Sequence, residues 1–413
     1  MKIAFISYEY PPDTAVGGIA TYIYQIAMLL QERGHYIEVF AGSNYRSSTE
    51  TENNIIVHRV LTKHNSDFSE QIAQIFSQRH HLINFDVVEG PEISACARKS
   101  VERFPDIPLV IKLHTPSFLI GQINDVAPSI NTKLRWYAGA LRHGKIPKPF
   151  PRWSYDLHQD IERSHVLEAD EITTPSQALG DKLIEVWGLP EDKVVHIPNP
   201  YIPSQELLNI AVETRTNIIT FIGRLEIRKG ILELGAAIPL ILKRYPDVRF
   251  RFIGSSLPSP KPGLDMQAYL EQKLKRYLPA LEFTGSVALD RIPYWLAKTD
   301  ICVFPSRWEN FPNVCLEAMA AARGVVGSSA GGMAEMLDQG KVGRLIPPEN
   351  SQKIAEAVIE LLANPQLRMQ LGRAARDRVL SEYNLDRIGQ LQEESYERAI
   401  RRRCSLGKRI FSN

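Results

Sequence analysis

Short apolar segments alternate with longer helical ones along this chain, and this alternation limits the fold more than any other feature. Each apolar segment has the length and composition of a strand that is buried on both faces. Strands joined by helices, as at Ile19–Arg33 and Ile93–Arg103, form parallel sheets that are covered on both sides. The strands predicted in the first half of the chain are Lys2–Tyr8, Tyr36–Ala41, Ile55–Val60, Phe85–Glu89, Leu109–Leu113 and Glu171–Thr174.

The alternation restarts after a stretch of mixed polarity, Ser204–Thr216, where we place the linker between two domains. The strands predicted beyond it are Ile218–Ile222, Val248–Ile253, Leu281–Thr284, Ile301–Phe304 and Val325–Gly327. The sequence therefore predicts an α/β protein in which two doubly wound, Rossmann-like domains face each other across a cleft. The predicted boundaries are 1–200 for the first domain, 201–384 for the second, and 385–413 for a C-terminal helix and basic tail, with the helix returning to the first domain.

The composition excludes several classes of protein. The chain carries 49 Lys and Arg against 47 Asp and Glu, a formal net charge of +2, which argues against a dedicated nucleic-acid binder. No apolar run approaches the roughly 18–20 residues that a membrane-spanning helix needs. The four cysteines are scattered, without the spacing of metal ligands. We therefore expect a cytoplasmic protein, with peripheral contact to the inner face of the membrane left open.

A cation-rich turn follows the first predicted strand of the second domain. Residues 223–230 read Gly-Arg-Leu-Glu-Ile-Arg-Lys-Gly and connect that strand to a helix. At such a turn Arg224 and Lys229 can converge with free main-chain N–H groups, which suits a diphosphate. The alternative is a solvated turn whose cations share no ligand.

Two carboxylates, Glu309 and Glu317, lie eight residues apart. The first is in the loop after a predicted strand and the second is in the following helix, so both can face the cleft and accept hydrogen bonds from sugar hydroxyls. Alternatively, Glu317 is favoured only by the helix dipole and Glu309 is merely exposed.

Two glycine pairs, Gly17-Gly18 and Gly331-Gly332, open helices after predicted strands. Without side chains they let main-chain N–H groups approach an anion or a sugar closely. Neither pair is part of the Gly-x-Gly-x-x-Gly motif of dinucleotide-binding proteins. His114 and Gly254 likewise follow strands. Because the carboxyl ends of parallel strands share one edge of each sheet, we expect all these residues to border the cleft.

No metal or cofactor site is predicted. The sequence lacks Asp-x-Asp and any cluster of His and Cys ligands. Residues 139–145 match most of a phosphate-binding P-loop, but Ile146 stands where a Ser or Thr would hold Mg²⁺, and no buried strand leads into the segment. We reject a P-loop here.

These motifs, in this order, resemble the retaining glycosyltransferases of family 4, which have the GT-B fold of two facing Rossmann-like domains. The resemblance covers nearly the whole chain and is strongest over Thr220–Ile346. It implies an enzyme that moves a sugar from a nucleoside-diphosphate sugar to a hydroxyl group of a glycan, glycolipid or small molecule. It also implies that the reaction needs no metal ion and retains the anomeric configuration.

The resemblance further assigns roles to individual residues. Arg224 and Lys229 would bind the diphosphate, Glu317 the ribose, and Glu309 and His114 the donor sugar. The predicted catalytic residues are Glu309, His114, Arg224 and Lys229. The remaining donor contacts are predicted at Gly17, Gly18, Gly254, Gly331, Met333 and Ala334.

Two segments depart from the family pattern, and two other functional classes stay open. Gly254-Ser-Ser replaces a more acidic turn and Arg323-Gly-Val replaces a frequent Gly-x-Pro, so the nucleobase of the donor is not assigned. A nicotinamide-dependent oxidoreductase would use similar domains but should carry Gly-x-Gly-x-x-Gly. A non-catalytic nucleotide-sugar-binding protein could keep the cleft without turnover.

Two basic stretches bear on the acceptor. Residues 126–155 contain six Lys or Arg, no Asp or Glu, and five interleaved Trp, Tyr or Phe, and Arg398–Arg409 is also basic without an acid. Cations beside aromatic rings suit an anionic membrane surface or an anionic acceptor. The alternative is a solvated lid and a frayed tail.

Overall fold

Two sheets, one in each half of the chain, form the frame of the molecule. The computed structural model describes residues 1–14, 17–62, 65–125, 130–144, 146, 149–150 and 153–411. The elements of the first half are β1 (Lys2–Ser7), α1 (Gly18–Glu32), β2 (Tyr36–Ser43), β3 (Ser48–Glu52), β4 (Ile55–Leu61), α2 (Asn65–Ile83), β5 (Val87–Pro91), α3 (Arg98–Arg103), β6 (Leu109–Lys112), α4 (Ser117–Asn124), α5 (Ile130–Arg142), α6 (Ile161–Leu167), β7 (Glu171–Thr174), α7 (Gln177–Trp187) and β8 (Val194–His196).

The second half continues the same alternation and ends in three long helices. Its elements are α8 (Gln205–Leu208), β9 (Ile218–Ile222), α9 (Ile231–Arg244), β10 (Arg249–Ile253), α10 (Met266–Lys273), β11 (Leu281–Gly285), α11 (Ile292–Leu296), β12 (Ile301–Phe304), α12 (Asn313–Ala320), β13 (Gly324–Ser328), α13 (Met333–Met336), β14 (Arg344–Ile346), α14 (Ser351–Ala363), α15 (Pro365–Glu382) and α16 (Leu385–Leu406). In the part of the chain that the structure describes, no helix combines the length and the apolarity needed to cross a membrane.

The strand orders are those of doubly wound folds. The first sheet runs β3-β4-β2-β1-β5-β6-β7-β8 and the second β11-β10-β9-β12-β13-β14, and every pairing is parallel except that of β3 with β4. Central strands are buried along their length, as in β12, because helices cover both faces. The predicted fold class is confirmed, whereas the domain boundaries at 200 and 384 stay predictions.

The sequence prediction was incomplete at the edges of the sheets and at some helix ends. It missed β3, β8 and β14, which are either charged or only three residues long. The helix predicted at Ile93–Arg103 is wrong in detail, because a 3₁₀ turn at Ile93–Ala95 precedes the short α3. The P-loop-like segment lies outside any strand–loop–helix unit, since Gly139–Arg142 is the end of α5; Lys145 lies outside the described residues.

Helix α16 returns to the first domain, as predicted, and is held there by buried polar contacts. The Glu89 carboxylate in β5 accepts hydrogen bonds from Tyr22 (2.7 Å), Gln392 (2.8 Å) and Tyr396 (2.7 Å). At the start of the first domain, Arg33 donates two hydrogen bonds to Glu393, at 2.9 and 2.8 Å. The last helix is therefore part of the first domain's core.

The basic stretch Arg398–Arg409 is not a free tail, which corrects the sequence interpretation. Arg398 and Arg402 pair with Glu171 at 2.7 and 2.6 Å. Asp170, which is fully buried, accepts from Arg403 and Arg409, both at 2.6 Å. The acids that balance these cations are far away in sequence, so the pattern of the stretch alone could not reveal them.

Candidate active site

The predicted site residues lie along two facing sheet edges, as expected. Gly17-Gly18 and His114 follow β1 and β6 of the first sheet, and the cation-rich turn, Gly254, Glu309 and Gly331-Gly332 follow β9, β10, β12 and β13 of the second. Helix α4 of the first domain contacts the turn Ile227–Lys229 of the second. The two domains therefore contact each other at one point along the cleft.

The centre of the site is an ion pair between Lys229 and Glu309. The Lys229 ammonium donates to Glu309 Oε1, which also accepts from Ser306 Oγ at 3.1 Å. Burial alone would raise the pKa of Glu309, but the charges of Lys229 and Arg228 outweigh burial, and the pKa is lowered. Glu309 is thus a buried carboxylate that stays ionised. The interpretation of Glu309 as merely exposed is wrong.

Arg224 lies apart from this pair, so the predicted convergence of Arg224 and Lys229 is only partly correct. The Arg224 side chain is 57% exposed and pairs with Glu226 at 3.2 Å, while that of Lys229 is 17% exposed. The second cation beside Glu309 is Arg228, at 3.6 Å, which sequence reasoning left out although it lies in the same motif. The turn therefore offers one exposed cation and two partly buried ones.

The glycines are required for close contact between loops. Gly331 has a φ of +78°, and an added Cβ there would lie 2.1 Å from the carbonyl oxygen of Glu309. Gly332 donates its N–H to that same oxygen at 2.9 Å. Gly254 has a φ of +144°, and a Cβ there would lie 2.0 Å from the Gly223 carbonyl oxygen. Close main-chain contacts therefore join the loop after β12 to the loop after β13. The same kind of contact joins the loop after β9 to the loop after β10.

Two of the predicted donor contacts can act only through the main chain. The Met333 side chain is fully buried, with its sulfur against Gly327 of β13. Met333 begins α13, and Ala334 follows it in the first turn. Gly18 begins α1, and a Cβ on Gly17 would lie 3.2 Å from a carboxylate oxygen of Glu9. All four positions therefore offer backbone near the cleft.

His114 is held by its main chain, which leaves its ring available. Its N–H donates to both oxygens of buried Glu92, at 2.9 and 3.0 Å, and its carbonyl oxygen accepts from Asn310 Nδ2. The ring Nε2 is buried and has no partner within the described residues. Burial, with a smaller contribution from Lys112, lowers the pKa of His114 to about 3. The ring is therefore neutral at physiological pH and its Nε2 can contact a bound hydroxyl group.

Glu317 lies in α12, the helix that follows the loop of Glu309. Its Oε2 is buried without a hydrogen-bond partner in the described part of the chain. Burial raises the pKa of Glu317 to about 7. A buried acceptor without a donor is costly, so a ligand with hydroxyl groups would stabilise it.

We expect nucleotide binding to strengthen as the pH rises from 6 to 8, because the ionised Glu317 is the better acceptor for ribose hydroxyls. The free protein should respond in the opposite direction: the folded state holds the Glu317 proton more tightly than the unfolded chain, so stability falls as the pH rises from about 4.5 to about 7. Calorimetric titration with nucleoside diphosphates and thermal melts across this range measure both effects.

Glu317→Gln is the matched control for both pH effects and should remove them. Glu317→Ala should mainly raise the KM for the donor, since a ribose contact is similar in the ground and transition states. Unchanged pH profiles in Glu317→Gln would show that another group titrates.

Two residues that sequence reasoning missed connect the domains across the cleft; we call Asn310 and Glu335 the clasp. Asn310 Oδ1 accepts from Ser176 Oγ at 2.6 Å, and its Nδ2 donates to the His114 carbonyl oxygen. The Glu335 carboxylate accepts from the N–H groups of Gln177 and Ala178, both at 2.8 Å. A carboxylate at a helix N-terminus is also favoured by the helix dipole. Asn310 lies in the loop after β12 and Glu335 in α13, so both residues belong to the second domain and bind first-domain atoms.

Two further cleft residues were also missed. Glu9 lies after β1, and burial raises its pKa. The Ala20 N–H and the charge of Arg224, which belongs to the opposite domain, partly offset this rise in the pKa. Trp308 Nε1 is buried and finds no partner among the described residues. Their position after β1 and β12 is the feature that could have identified them from the sequence.

Arg323, one of the two departures from the family pattern, lies away from the cleft. Arg323 precedes β13, at the amino end of the strand, whereas the other site residues follow strand carboxyl ends. Its guanidinium donates to the carbonyl oxygens of Ala321 (2.8 Å) and Thr299 (3.0 Å) and reaches Ala211 in the linker. Arg323 therefore fixes the linker rather than a ligand.

Comparison with known proteins agrees with this geometry. The family model "Glycosyltransferase Family 4" matches residues 16–205, and the model "Glycosyl transferases group 1" matches residues 216–364. Glycogen synthase of Mycobacterium tuberculosis is 26% identical over 429 aligned residues, covering 97% of this chain and 95% of that protein.

Two solved structures share the fold. Sucrose-phosphate synthase of Thermosynechococcus elongatus matches with a TM-score of 0.73 at 19% identity, covering 96% of this chain and 98% of that one. Anabaena HepE in complex with UDP-glucose matches with a TM-score of 0.63 at 18% identity, covering 96% and 99%. With two family models covering both domains, and with the GT-B architecture of its neighbours, this chain belongs to glycosyltransferase family 4.

Proposed function

We propose that the protein transfers a sugar, with retention of configuration and without a metal ion, from a nucleoside-diphosphate sugar to a hydroxyl acceptor. The observation that carries this proposal is the ionised Lys229–Glu309 pair, which lies at a strand-end loop of the donor domain beside Arg228. A glycosyltransferase must stabilise a departing diphosphate and a positively charged sugar ring at neighbouring points. A partly buried cation beside a buried carboxylate provides both charges.

The cations act on the leaving group. As the bond from the sugar to the phosphate breaks, negative charge grows on the diphosphate, and Lys229 and Arg224 are placed to balance it. Arg224 is exposed in the free protein, so it can reorient toward a ligand. Lys229 is preorganised by Glu309 and needs no such movement.

Glu309 and His114 act near the sugar. The Glu309 carboxylate favours the positive charge that develops on the ring, and the neutral His114 orients a sugar hydroxyl through Nε2. Retention follows from the family resemblance: the acceptor attacks from the face that the phosphate leaves, and the phosphate assists in removing the acceptor proton. Closure of the domains excludes the water that would hydrolyse the donor.

The donor class is supported by HepE, which binds UDP-glucose, and a nucleoside-diphosphate sugar is the partner we propose for this chain. Among the described residues, no three His, Cys, Asp or Glu side chains are grouped as a bound metal ion would require. We propose that Arg224 and Lys229 take the place of a metal ion. The acceptor is proposed to be a glycan, glycolipid or other hydroxyl compound.

Donor hydrolysis in the presence of EDTA tests this function. We expect UDP-glucose or another nucleoside-diphosphate sugar to be hydrolysed slowly without an acceptor, at a rate that EDTA leaves unchanged. Anomer-resolved NMR of the product formed with an acceptor measures retention. Loss of activity in EDTA, restored by Mg²⁺ or Mn²⁺, would contradict the metal-independent mechanism, and binding without turnover of any donor would favour a non-catalytic sugar-nucleotide-binding protein.

A further inference from the structure

Helix α5 exposes an apolar stripe that no part of the described protein covers. Ile130, Leu134 and Leu141 are 77%, 60% and 66% exposed, and Tyr137 lies between them. Positions separated by four, three and four residues fall on one face of a helix, so these side chains form one continuous stripe. Large apolar side chains are individually common on surfaces, but a contiguous stripe marks an interaction site.

Positive charge surrounds the stripe. Lys133, Arg135 and Arg142 belong to the same helix, and within the described ranges none of them forms an ion pair. Residues 126–155 as a whole contain six Lys or Arg and no acid, a charge of +6. Because the chain carries +2 in total, the remaining residues carry +2 − 6 = −4. The excess positive charge of the protein is therefore concentrated in this segment.

Aromatic side chains lie beside the helix. The Trp136 ring contacts Phe150 edge to face, with 5.5 Å between centroids, and Trp153 stacks on Tyr155 at 6.0 Å. Trp153 also covers Gly121 of α4, the helix that contacts the Ile227–Lys229 turn. Tryptophan and tyrosine rings favour the boundary between water and lipid, where one edge is polar and the other apolar.

We propose that the stripe of α5 with its flanking cations and Trp136 docks peripherally on an anionic lipid bilayer. An apolar stripe with basic flanks lies in the plane of such an interface, where apolar burial and attraction to anionic lipid act together. A second copy of the chain fits less well, because two helices that each carry Lys133, Arg135 and Arg142 would repel each other. Four arginines of the other basic stretch, Arg398–Arg409, are already paired with Asp170 or Glu171. The cations of α5 have no such partners among the described residues, so α5 is the surface whose charge favours an anionic bilayer. This proposal goes beyond sugar transfer and does not require it.

Co-sedimentation with vesicles tests the docking surface. Vesicles of phosphatidylglycerol and phosphatidylcholine in equal parts should bind the wild-type protein at low salt, and binding should weaken strongly in 0.5 M NaCl. The double variant Leu134→Glu/Leu141→Glu should bind at least about tenfold more weakly, since it removes apolar contact and adds negative charge. Leu82→Glu is the matched control, because Leu82 is 75% exposed at the end of α2, and it should bind like the wild type.

Two further measurements keep the outcomes distinct. Light scattering should give the same molar mass for the wild type and the double variant. A wild-type dimer that becomes a monomer in the double variant would overturn the proposal in favour of an interface between copies. Donor hydrolysis without vesicles should be equal in the two proteins. Failure of the wild type to bind vesicles at low salt ends the docking proposal, whereas vesicle binding without hydrolysis of any donor leaves it intact and contradicts the proposed function.

Discussion

Lys229→Met is expected to lower kcat/KM for the donor by roughly 30- to 1000-fold, which corresponds to about 2–4 kcal/mol of lost transition-state stabilisation. Lys229 pairs with Glu309 and would contact the departing diphosphate, so its loss removes the one positive charge that the ligand and the buried carboxylate would share. Glu309 would keep only Arg228, at 3.6 Å, and Ser306, at 3.1 Å. Steady-state kinetics with a nucleoside-diphosphate sugar measure the effect.

The double variant Lys229→Met/Glu309→Gln distinguishes two roles of Lys229: neutralising Glu309 and acting on the diphosphate. If Lys229 served only to neutralise Glu309, the double variant would be far more active than Lys229→Met. We expect it to stay as inactive, with Glu309→Gln alone lowering kcat more than it raises KM. Arg215→Met is the control, since Arg215 is exposed and pairs only with Glu213, at 3.3 Å. Wild-type kinetics in Lys229→Met would refute the diphosphate assignment.

Asn310→Ala is expected to lower kcat/KM by roughly 10- to 100-fold through the loss of domain closure. The variant removes both clasp bonds of Asn310 and leaves the Ser176 hydroxyl and the His114 carbonyl without this partner, at about 1–3 kcal/mol for each buried group. Small-angle scattering should show a larger radius of gyration in the variant, and the fraction of donor lost to hydrolysis rather than transfer should rise.

Glu335→Gln should act in the same direction but more weakly, because an amide still has one acceptor for the N–H groups of Gln177 and Ala178. Glu356→Gln is the surface control, as the hydrogen bonds of Glu356 with described residues go to Lys353 and Gln352 on its own helix. A compact Asn310→Ala protein with normal kinetics would show that the clasp does not determine closure.

The fold could be predicted because burial and periodicity are local properties of a parallel α/β chain. Central strands such as β9 and β12 were located to the residue, since each is a continuous apolar run. Edge strands lack that signal: Ser48–Glu52 alternates small polar and acidic residues, and only its antiparallel pairing with β4 makes it a strand.

The positions of the candidate site residues could be predicted from the sequence, but the contacts between their charged side chains could not. Residues predicted to follow strands do lie at strand carboxyl ends, because topology alone brings them there, whereas their roles stay predictions. Which charges meet depends on three-dimensional contacts, so Arg228 beside Glu309, and Asp170 beside Arg403 and Arg409, could not be read from spacing. Asn310 and Glu335 were missed because roles had been predicted for other residues of the same motifs, Glu309 and Gly331-Gly332.

The path of α16 has a consequence for how the protein is made. Asp170 and Glu89 receive partners from residues 392–409, more than 200 positions later in the chain. At roughly 5–20 residues per second, a ribosome needs on the order of 10–50 s to add that length. During this interval the nascent first domain lacks the guanidinium groups of Arg403 and Arg409 that pair with Asp170, and the side chains of Gln392 and Tyr396 that donate to Glu89. The second domain therefore emerges, and can fold, while the first is still incomplete.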